Sequence, residues 1–378
     1  MARTKSKLKL LMWLLFSGLS GGGITGYLIP SAPIIGPIIT KLTAKGKTVA
    51  AGSGEILKDS ATGLLNGQSP NRYSPSTAVA GQLASARQPA NGQSQVTANT
   101  AAAGGRQANG KLLIASFNIQ VLGQSKISKP GMKELLAHVI RQFDLVAIQE
   151  VRAKADNVIP EIVAAVNSNG SRYNFVIGPR LGRSNSKEQY TYVFNTNTVE
   201  HDPSSKGTVN DPKDLLHREP FVTRFRARTQ SPSQAFTFWM VNIHTDPDEV
   251  PEEVDALVDV FQVMQKARAD EDDVILLGDL NASEKQLARL GRIPGMQWTI
   301  RGVMTNTRKN KAYDNILFQG QATREYTGRW GVYDLESNLG ISRDQALQVS
   351  DHLPIWAEFS VWEAPAPTTT VGHSSPYN

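Results

Sequence analysis

The sequence predicts an α/β fold, a sandwich of two packed β-sheets with outer helices, spanning residues 111–362. The first observation is a set of short apolar runs, at 112–119, 145–149, 190–194, 221–225, 235–243, 274–277, 315–318 and 354–361. Their length and their content of β-branched and aromatic residues read as strands. The second is helical spacing between some of them. Val254, Leu257, Val258, Phe261 and Met264 recur every three or four residues, with Pro251 placed for a first turn. Further helices are expected over 132–141 and 157–167. The third is the alternation itself: strands interrupted by helices for about 250 residues, long enough for two sheets to share a core. No internal repeat is visible.

The rest of the chain is organised differently. Residues 1–110 carry eleven Lys/Arg against two acids, and residues 111–378 carry 29 against 32. The net charge of +6 therefore belongs to the N-terminal segment, and the folded part is slightly acidic. Global basicity is no argument for nucleic-acid binding here, because a phosphate feels local clusters. There is no cysteine, which excludes disulfides, thiolate catalysis and Cys-ligated zinc.

Within 1–43, Arg3, Lys5, Lys7 and Lys9 precede a mostly apolar run over 10–29. As a helix it would be about 30 Å long, enough to cross a bilayer core. Basic residues before it predict a membrane anchor with the remainder on the extracytoplasmic side. A cleaved signal peptide and secretion is the competing reading. Gly18, Gly22 and Gly26 would suit helix–helix self-association, and no protein partner is evident. Residues 44–110 and 363–378, rich in small and polar residues and Pro, are expected to be a disordered linker and tail.

Polar residues stand at the ends of the strand-like runs, where loops carry function. They are Asn118; Gln149-Glu150-Val151-Arg152; His244; Gly278-Asp279-Leu280-Asn281; Tyr313-Asp314-Asn315; and Ser350-Asp351-His352. A site handling phosphate and a hard cation requires such carboxylates, amides and imidazoles. Asp279 and Asn281 alternate across one leucine, so an extended segment would point both to one face.

In this order the blocks resemble the endonuclease/exonuclease/phosphatase family across almost all of 111–362. Lys187-Glu188-Gln189-Tyr190 and Arg218-Glu219-Pro220-Phe221 look like its deoxyribonuclease I branch rather than its lipid or inositol phosphatases. The resemblance implies a deoxyribonuclease I-like sandwich that hydrolyses DNA phosphodiesters with Mg²⁺, an activated water and two histidines. It implies that Glu150 is the main Mg²⁺ ligand, with Asn118 and Asp351 completing the metal surroundings; Mn²⁺ is an alternative ion. His352 would pair with Asp314, and His244 with Glu188. Asp279 would orient or deprotonate the water, and Asn281 would bond a phosphoryl oxygen. Arg152 matches the arginine that enters the minor groove, and Arg218 one near the phosphate; Asn118 also falls in the substrate set.

Arg180, Arg183, Lys187, Arg308, Lys309 and Lys311 would either contact phosphates or form an ordinary solvated surface. Three features depart from the branch. Ser186 stands where deoxyribonuclease I has a stacking tyrosine. Its disulfide before the Arg-Glu-Pro block is replaced by a Cys-free loop over 204–216, which leaves structural Ca²⁺ open. Asp246 follows His244 closely and would either bind a second cation or cap the turn before the Pro251 helix. The alternative activity is a phosphatase or phosphodiesterase acting on lipid headgroups or inositol phosphates.

Overall fold

The computed structural model describes residues 109–183 and 187–365. The apolar run at 10–29, nearly all of the linker, Ser186 and the tail from 366 lie outside the described residues. Among the described residues no helix is long and apolar enough to cross a membrane.

The first sheet contains β1 (Lys111–Leu122), β2 (Leu145–Val151), β3 (Tyr173–Ile177), β4 (Gln189–Asn195), β11 (Tyr326–Val332) and β12 (Ile355–Ser360). The second contains β5 (Val199–Thr208), β6 (Phe221–Ala227), β7 (Thr237–His244), β8 (Val274–Asp279), β9 (Met296–Trp298) and β10 (Asp314–Gln319). Their orders are β11–β12–β1–β2–β4–β3 and β5–β6–β7–β8–β10–β9. All eight runs read as strands form strands. The four that sequence reading missed, β3, β5, β9 and β11, are the four sheet edges. An edge strand pairs on one side only and is half solvated, so its sequence loses the apolar run. β5 even contains Pro203, which an edge tolerates because one side of it needs no ladder donor. The expected loop over 204–216 is thus strand as far as Thr208.

The two sheets repeat one pairing pattern. Each has a single parallel pair, β1 with β2 and β7 with β8, flanked by antiparallel neighbours. Parallel neighbours require a crossover. Helices α1 (Gln124–Ile127) and α2 (Met132–Ile140) lie in the first crossover, and α4 (Val250–Met264) forms the second. A repeat that sequence does not reveal is therefore present in the topology.

Alternation along each strand divides the apolar residues into layers. Leu112 and Ile114 of β1 face the second sheet, whereas Leu113, Ala115, Phe117 and Ile119 face α2 and α3 (Val158–Asn167). On the other side Trp239, Val241 and Ile243 of β7 pack on Val254, Leu257, Phe261 and Met264 of α4. Each such side chain contributes about 1.5–3 kcal/mol on burial. Aromatic rings fill the space between the sheets, among them Tyr192 and Phe221 with centroids 5.5 Å apart and Phe236 and Phe238 at 4.6 Å. Helices α5 (Leu335–Leu339) and α6 (Arg343–Val349) complete the fold; Ser342 and Gln345 form a capping box at the start of α6.

Candidate active site

At one end of the sandwich the rows between the sheets change from apolar to polar. Along β1 the row runs Leu112, Ile114, Ser116, Asn118; along β2, Leu145, Ala147, Gln149. Along β7 it runs Phe238, Met240, Asn242, His244, and along β8, Ile275, Leu277, Asp279. The antiparallel strands continue the pattern in reverse: Phe318, Ile316, Asp314 on β10 and Phe194, Tyr192, Tyr190, Glu188 up to β4. Buried amides need partners, and these find them across the sheets. Gln149 Nε2 donates to Asn242 Oδ1 at 2.6 Å, and Asn118 Nδ2 donates to Asp279 Oδ2 at 2.9 Å.

Asp279 forms the centre. Its Oδ2 lies 3.5 Å from His244 Nε2 and 3.4 Å from His352 Nε2. Each imidazole has a carboxylate behind it: His244 Nδ1 is 2.8 Å from Glu188 Oε1, and His352 Nδ1 is 3.0 Å from Asp314 Oδ2. Both pairings match the sequence expectation. The backbone N–H of His244 donates to the Tyr190 hydroxyl at 2.9 Å, fixing the end of β7. Gly278, just before Asp279, is at φ +149, and a Cβ there would sit 1.9 Å from Ile243 O. The Gly-Asp order therefore lets β7 and β8 approach closely beside the site.

Burial disfavours the charged form of His244, but Glu188 and then Asp279 outweigh it and raise the pKa. Burial likewise opposes ionisation of Glu188, yet His244, Arg218 and Arg152 hold its pKa below the ordinary carboxylate value. His352 is pushed up to about 10: burial opposes this, and Asp314 followed by Asp279 overcomes it. Burial also works against ionised Asp314. Geometry places the proton on the imidazole. The Thr305 hydroxyl accepts the N–H groups of Tyr313 and Asp314, so its own proton points to Asp314 Oδ2 at 2.6 Å. That carboxylate therefore acts as an acceptor.

This pair has a linkage consequence. The folded-state pKa of His352 lies above its ordinary 6.5, so its contribution to stability is fully present below about pH 6.5 and is lost as pH rises through about 10. Asp314→Asn is expected to lower the His352 pKa and remove that contribution. Imidazole NMR titration of wild type and variant checks it, and equal midpoints would refute the pairing.

Glu150 sits in a β-bulge between Ile148 and Val151, with φ +60. A non-glycine residue there stores on the order of 1–3 kcal/mol. The bulge turns its carboxylate into the cleft, where Oε2 accepts the Val121 N–H at 2.8 Å and Oε1 accepts from Asn118 Nδ2 at 3.3 Å. Asn118 itself is fully buried, and its Oδ1 has no protein partner. Asp351 Oδ2 accepts from Gln120 Nε2 at 2.9 Å. The expected metal group Glu150, Asp351 and Asn118 thus surrounds the end of β1. The close-packed ligand set at this end of the fold, among the described residues, is instead Asp279, Asp314 and His352. Glu150 and Asp351 stay outside it because the Val121 N–H and the Gln120 amide hold them at the rim.

The cleft over these groups is open, with a volume of about 410 Å³, and is lined by Glu150, Arg152, Arg218, His244, Asp279 and Asp351 among others. Several details differ from expectation. Asn281 lines the cleft but is not on an extended segment: its φ is +47, its N–H donates to Asp279 Oδ1, and its amide donates to Thr245 O. The chain turns after β8 because Asp279 caps it. Arg152 lies 3.2 Å from Glu150 and 3.8 Å from Glu188, folded onto the site carboxylates. Arg218 is buried, donating to His244 O at 3.0 Å beside Glu188.

Arg180 is bound by carbonyl oxygens of Ala153, Arg152 and Lys187, Arg183 by Glu249 and Asp214, and Lys309 by Asp334. Those three basic residues serve the fold. Lys187, Arg308 and Lys311 are exposed. Asp246 caps the turn before α4, accepting the Asp248 N–H at 3.0 Å, and pairs with His217 at 3.3 Å. The Cys-free loop after β5 is held by Asp211, which accepts the Leu216 N–H at 2.7 Å, and by buried Val209 and Leu216.

Sequence reasoning missed two groups and gave a third no role. His217, directly before Arg218, lines the cleft, and so does Tyr313, which was named only as part of the block with Asp314. Glu253, in the first turn of α4, is buried and accepts the N–H groups of His217 and Asp246. Burial pushes its pKa up to about 7. Nothing local marks it, since an acid in a first helical turn is ordinary.

A sandwich with this polar pole is the architecture of a phosphoesterase. The family model described as "Endonuclease/Exonuclease/phosphatase family" matches residues 115–352. Mouse deoxyribonuclease gamma is 32% identical over 267 residues, 65% of this chain and 83% of that protein. Bovine deoxyribonuclease-1 is 30% identical over 65% of this chain and 90% of its own length. Human deoxyribonuclease-1-like 1 is 30% identical over 66% and 85%. The chain belongs to the endonuclease/exonuclease/phosphatase family, on its deoxyribonuclease I-like side.

Proposed function

We propose that this chain is a divalent-metal-dependent endonuclease that hydrolyses DNA phosphodiester bonds, leaving 5′-phosphate and 3′-hydroxyl ends. The observation that carries the reading is Asp279 between two imidazoles, each backed by a carboxylate, on the floor of an open cleft. The deoxyribonuclease relatives supply the substrate class.

The residues suit a hard cation. Glu150, Asp279, Asp314 and Asp351 converge at the pole, and Asn118 offers a buried carbonyl oxygen without a partner. Oxygen donors of this kind favour Mg²⁺ or Mn²⁺. Glu150, Asp351 and Asn118 would hold the ion, which when bound would polarise a phosphoryl oxygen and offset developing charge. Asp279 orients the attacking water and takes up its proton. The two imidazolium N–H groups that meet at Asp279 Oδ2 are placed for phosphate oxygens and for protonating the leaving 3′-oxygen. Asn281 reaches the phosphoryl oxygen from the turn, and Arg218 beside Glu188 sets positive charge near the phosphate. Arg152, which lines the cleft, would have to leave the site carboxylates to contact DNA. Glu188 and Asp314 act through the histidines, fixing tautomer and charge.

The assay is nicking of supercoiled plasmid by the full chain with Mg²⁺. Chelation is expected to lower the rate at least about 10³-fold and Mg²⁺ or Mn²⁺ to restore it. No nicking, or turnover of phosphoinositide in its place, would overturn the DNA reading. The basic start and the apolar run at 10–29 support a membrane tether with the enzyme on the extracytoplasmic side. Carbonate-resistant sedimentation with membranes tests that placement; a mature protein starting beyond residue 29 would refute it.

A further inference from the structure

A second acidic group lies at the opposite pole of the sandwich. Asp273 immediately precedes β8 and Asp279 ends it, so the two poles are about 20 Å apart along the strand. Glu325 immediately precedes β11, and Glu363 follows β12. One carboxylate oxygen from each of Asp273, Glu325 and Glu363 lies within 4.8 Å of the others. Asp273 and Glu325 are each 3% exposed. No Lys, Arg or His forms an ion pair with any of the three among the described residues.

Proximity of acids alone would mean little, but the buried oxygens here lack donors. Asp273 Oδ1 and Glu325 Oε2 have no hydrogen-bond partner. Thr323, 1% exposed, turns its hydroxyl to Asp273, and its Oγ1 also lacks a hydrogen bond of normal geometry. Two further oxygens are fixed by backbone: Ala364 N–H donates to Glu325 Oε1 at 2.6 Å and Thr237 N–H to Glu363 Oε2 at 3.3 Å, while the Glu363 carboxyl also reaches the Asp273 carboxyl. Buried acceptors without donors, on carboxylates gathered this closely, call for a cation or protons.

We propose that Asp273, Glu325 and Glu363, with the Thr323 hydroxyl, form a binding site for a hard divalent cation of the calcium class. The donors are all oxygen, from three carboxylates and a hydroxyl on three separate segments. Calcium accepts six to eight such ligands in irregular geometry and fills its shell with water, whereas magnesium demands near-octahedral order. The ion ties the start of β8, in the second sheet, to the start of β11 and the end of β12, in the first. It is a staple between sheets in a chain without disulfides.

In the metal-free protein the site has to hold protons. Asp273 is pushed up to about 9, by burial and then by Glu325; Glu363 rises to about 7 for the same two reasons. Glu271 and Asp272 beside Asp273 add negative charge, and Arg224 and Arg324 lie on the neighbouring segments. These folded-state values exceed the unfolded ones, so metal-free stability is full below about pH 4 and falls as pH rises through 7 to 9. Calcium reverses that fall.

The experiment uses the full chain at pH 8, stripped with EDTA and then titrated with calcium, magnesium or terbium. Wild type is expected to gain about 5–10 °C in Tm at calcium a hundredfold above its dissociation constant. Magnesium at equal concentration should do less. Terbium bound there should be excited by Trp239, whose backbone N–H donates to Asp273 O. Asp273→Asn/Glu325→Gln should lose the calcium gain and the terbium signal, yet melt no lower than wild type in EDTA, because three crowded acids have been relieved. Glu363→Gln, at the exposed edge, should fold and bind calcium at least about tenfold more weakly. A wild-type Tm unmoved by millimolar calcium, or a gain undiminished in both variants, overturns the site. A magnesium gain as large as that of calcium, and lost in the same variants, overturns the ion class.

Discussion

Replacing His352 by alanine is expected to cut plasmid nicking by about 10³- to 10⁴-fold while leaving the far-ultraviolet circular dichroism spectrum unchanged. The imidazole stands between Asp314 and Asp279, at 3.0 and 3.4 Å, and no neighbouring group duplicates its position. Its removal takes away a positively charged donor from the floor of the cleft, about 4–5.5 kcal/mol of transition-state stabilisation at 1.36 kcal/mol per tenfold. Asp314 is then left with Thr305 and takes up a proton, the direction in which burial already drives it. The fold therefore survives the change, although it is less stable. Asp314→Asn should lose less activity than His352→Ala, because the imidazole remains. Equal losses would mean that the carboxylate itself takes part in the chemistry. Nicking by His352→Ala at a tenth of the wild-type rate or more would remove this histidine from the mechanism.

Gly278→Ala is expected to destabilise the fold by more than about 3 kcal/mol, a larger effect than most single substitutions. The added Cβ would meet Ile243 O at 1.9 Å, and the backbone at φ +149 is one that L side chains rarely adopt. Neither neighbour can give way cheaply, since β7 and β8 are paired from Trp239–Val274 to His244–Asp279. Activity per folded molecule should fall too, as His244 and Asp279 are the last pair of that ladder. Urea denaturation measures the stability, with the midpoint shifting down at constant slope. A midpoint within about 0.5 kcal/mol of wild type would show that the strands separate freely.

Much of the site was legible because the same rule produces core and site. On a strand buried between two sheets, alternate residues face inward, and where that row becomes polar the strand ends in the cleft. Asn118, His244 and Asp279 each end such a row, so composition and spacing exposed them. Glu150 was legible as a block, but its bulge was not. Asp279 and Asn281 were read as two extended neighbours, whereas the Asp279 carboxylate caps the following turn and Asn281 goes left-handed. Hydrogen bonds closing over two residues leave no periodic signal. Arg152 was read as reaching outward, while two carboxylates at 3.2 and 3.8 Å fold it inward. Charge pairing between distant segments is invisible in a linear chain.

By itself the sequence determined the central strands, three helices, the family and the residue types of the active pole, because burial on both faces and ordered polar blocks leave local marks. Only the tertiary structure decided the four edge strands, the topological repeat, Glu253 beneath the cleft and the acidic group of Asp273, Glu325 and Glu363. Those depend on which segments become neighbours. Glu325 and Glu363 are 38 positions apart, and Asp273 is 52 positions before Glu325. No periodicity connects them; the closing of one sheet upon the other does.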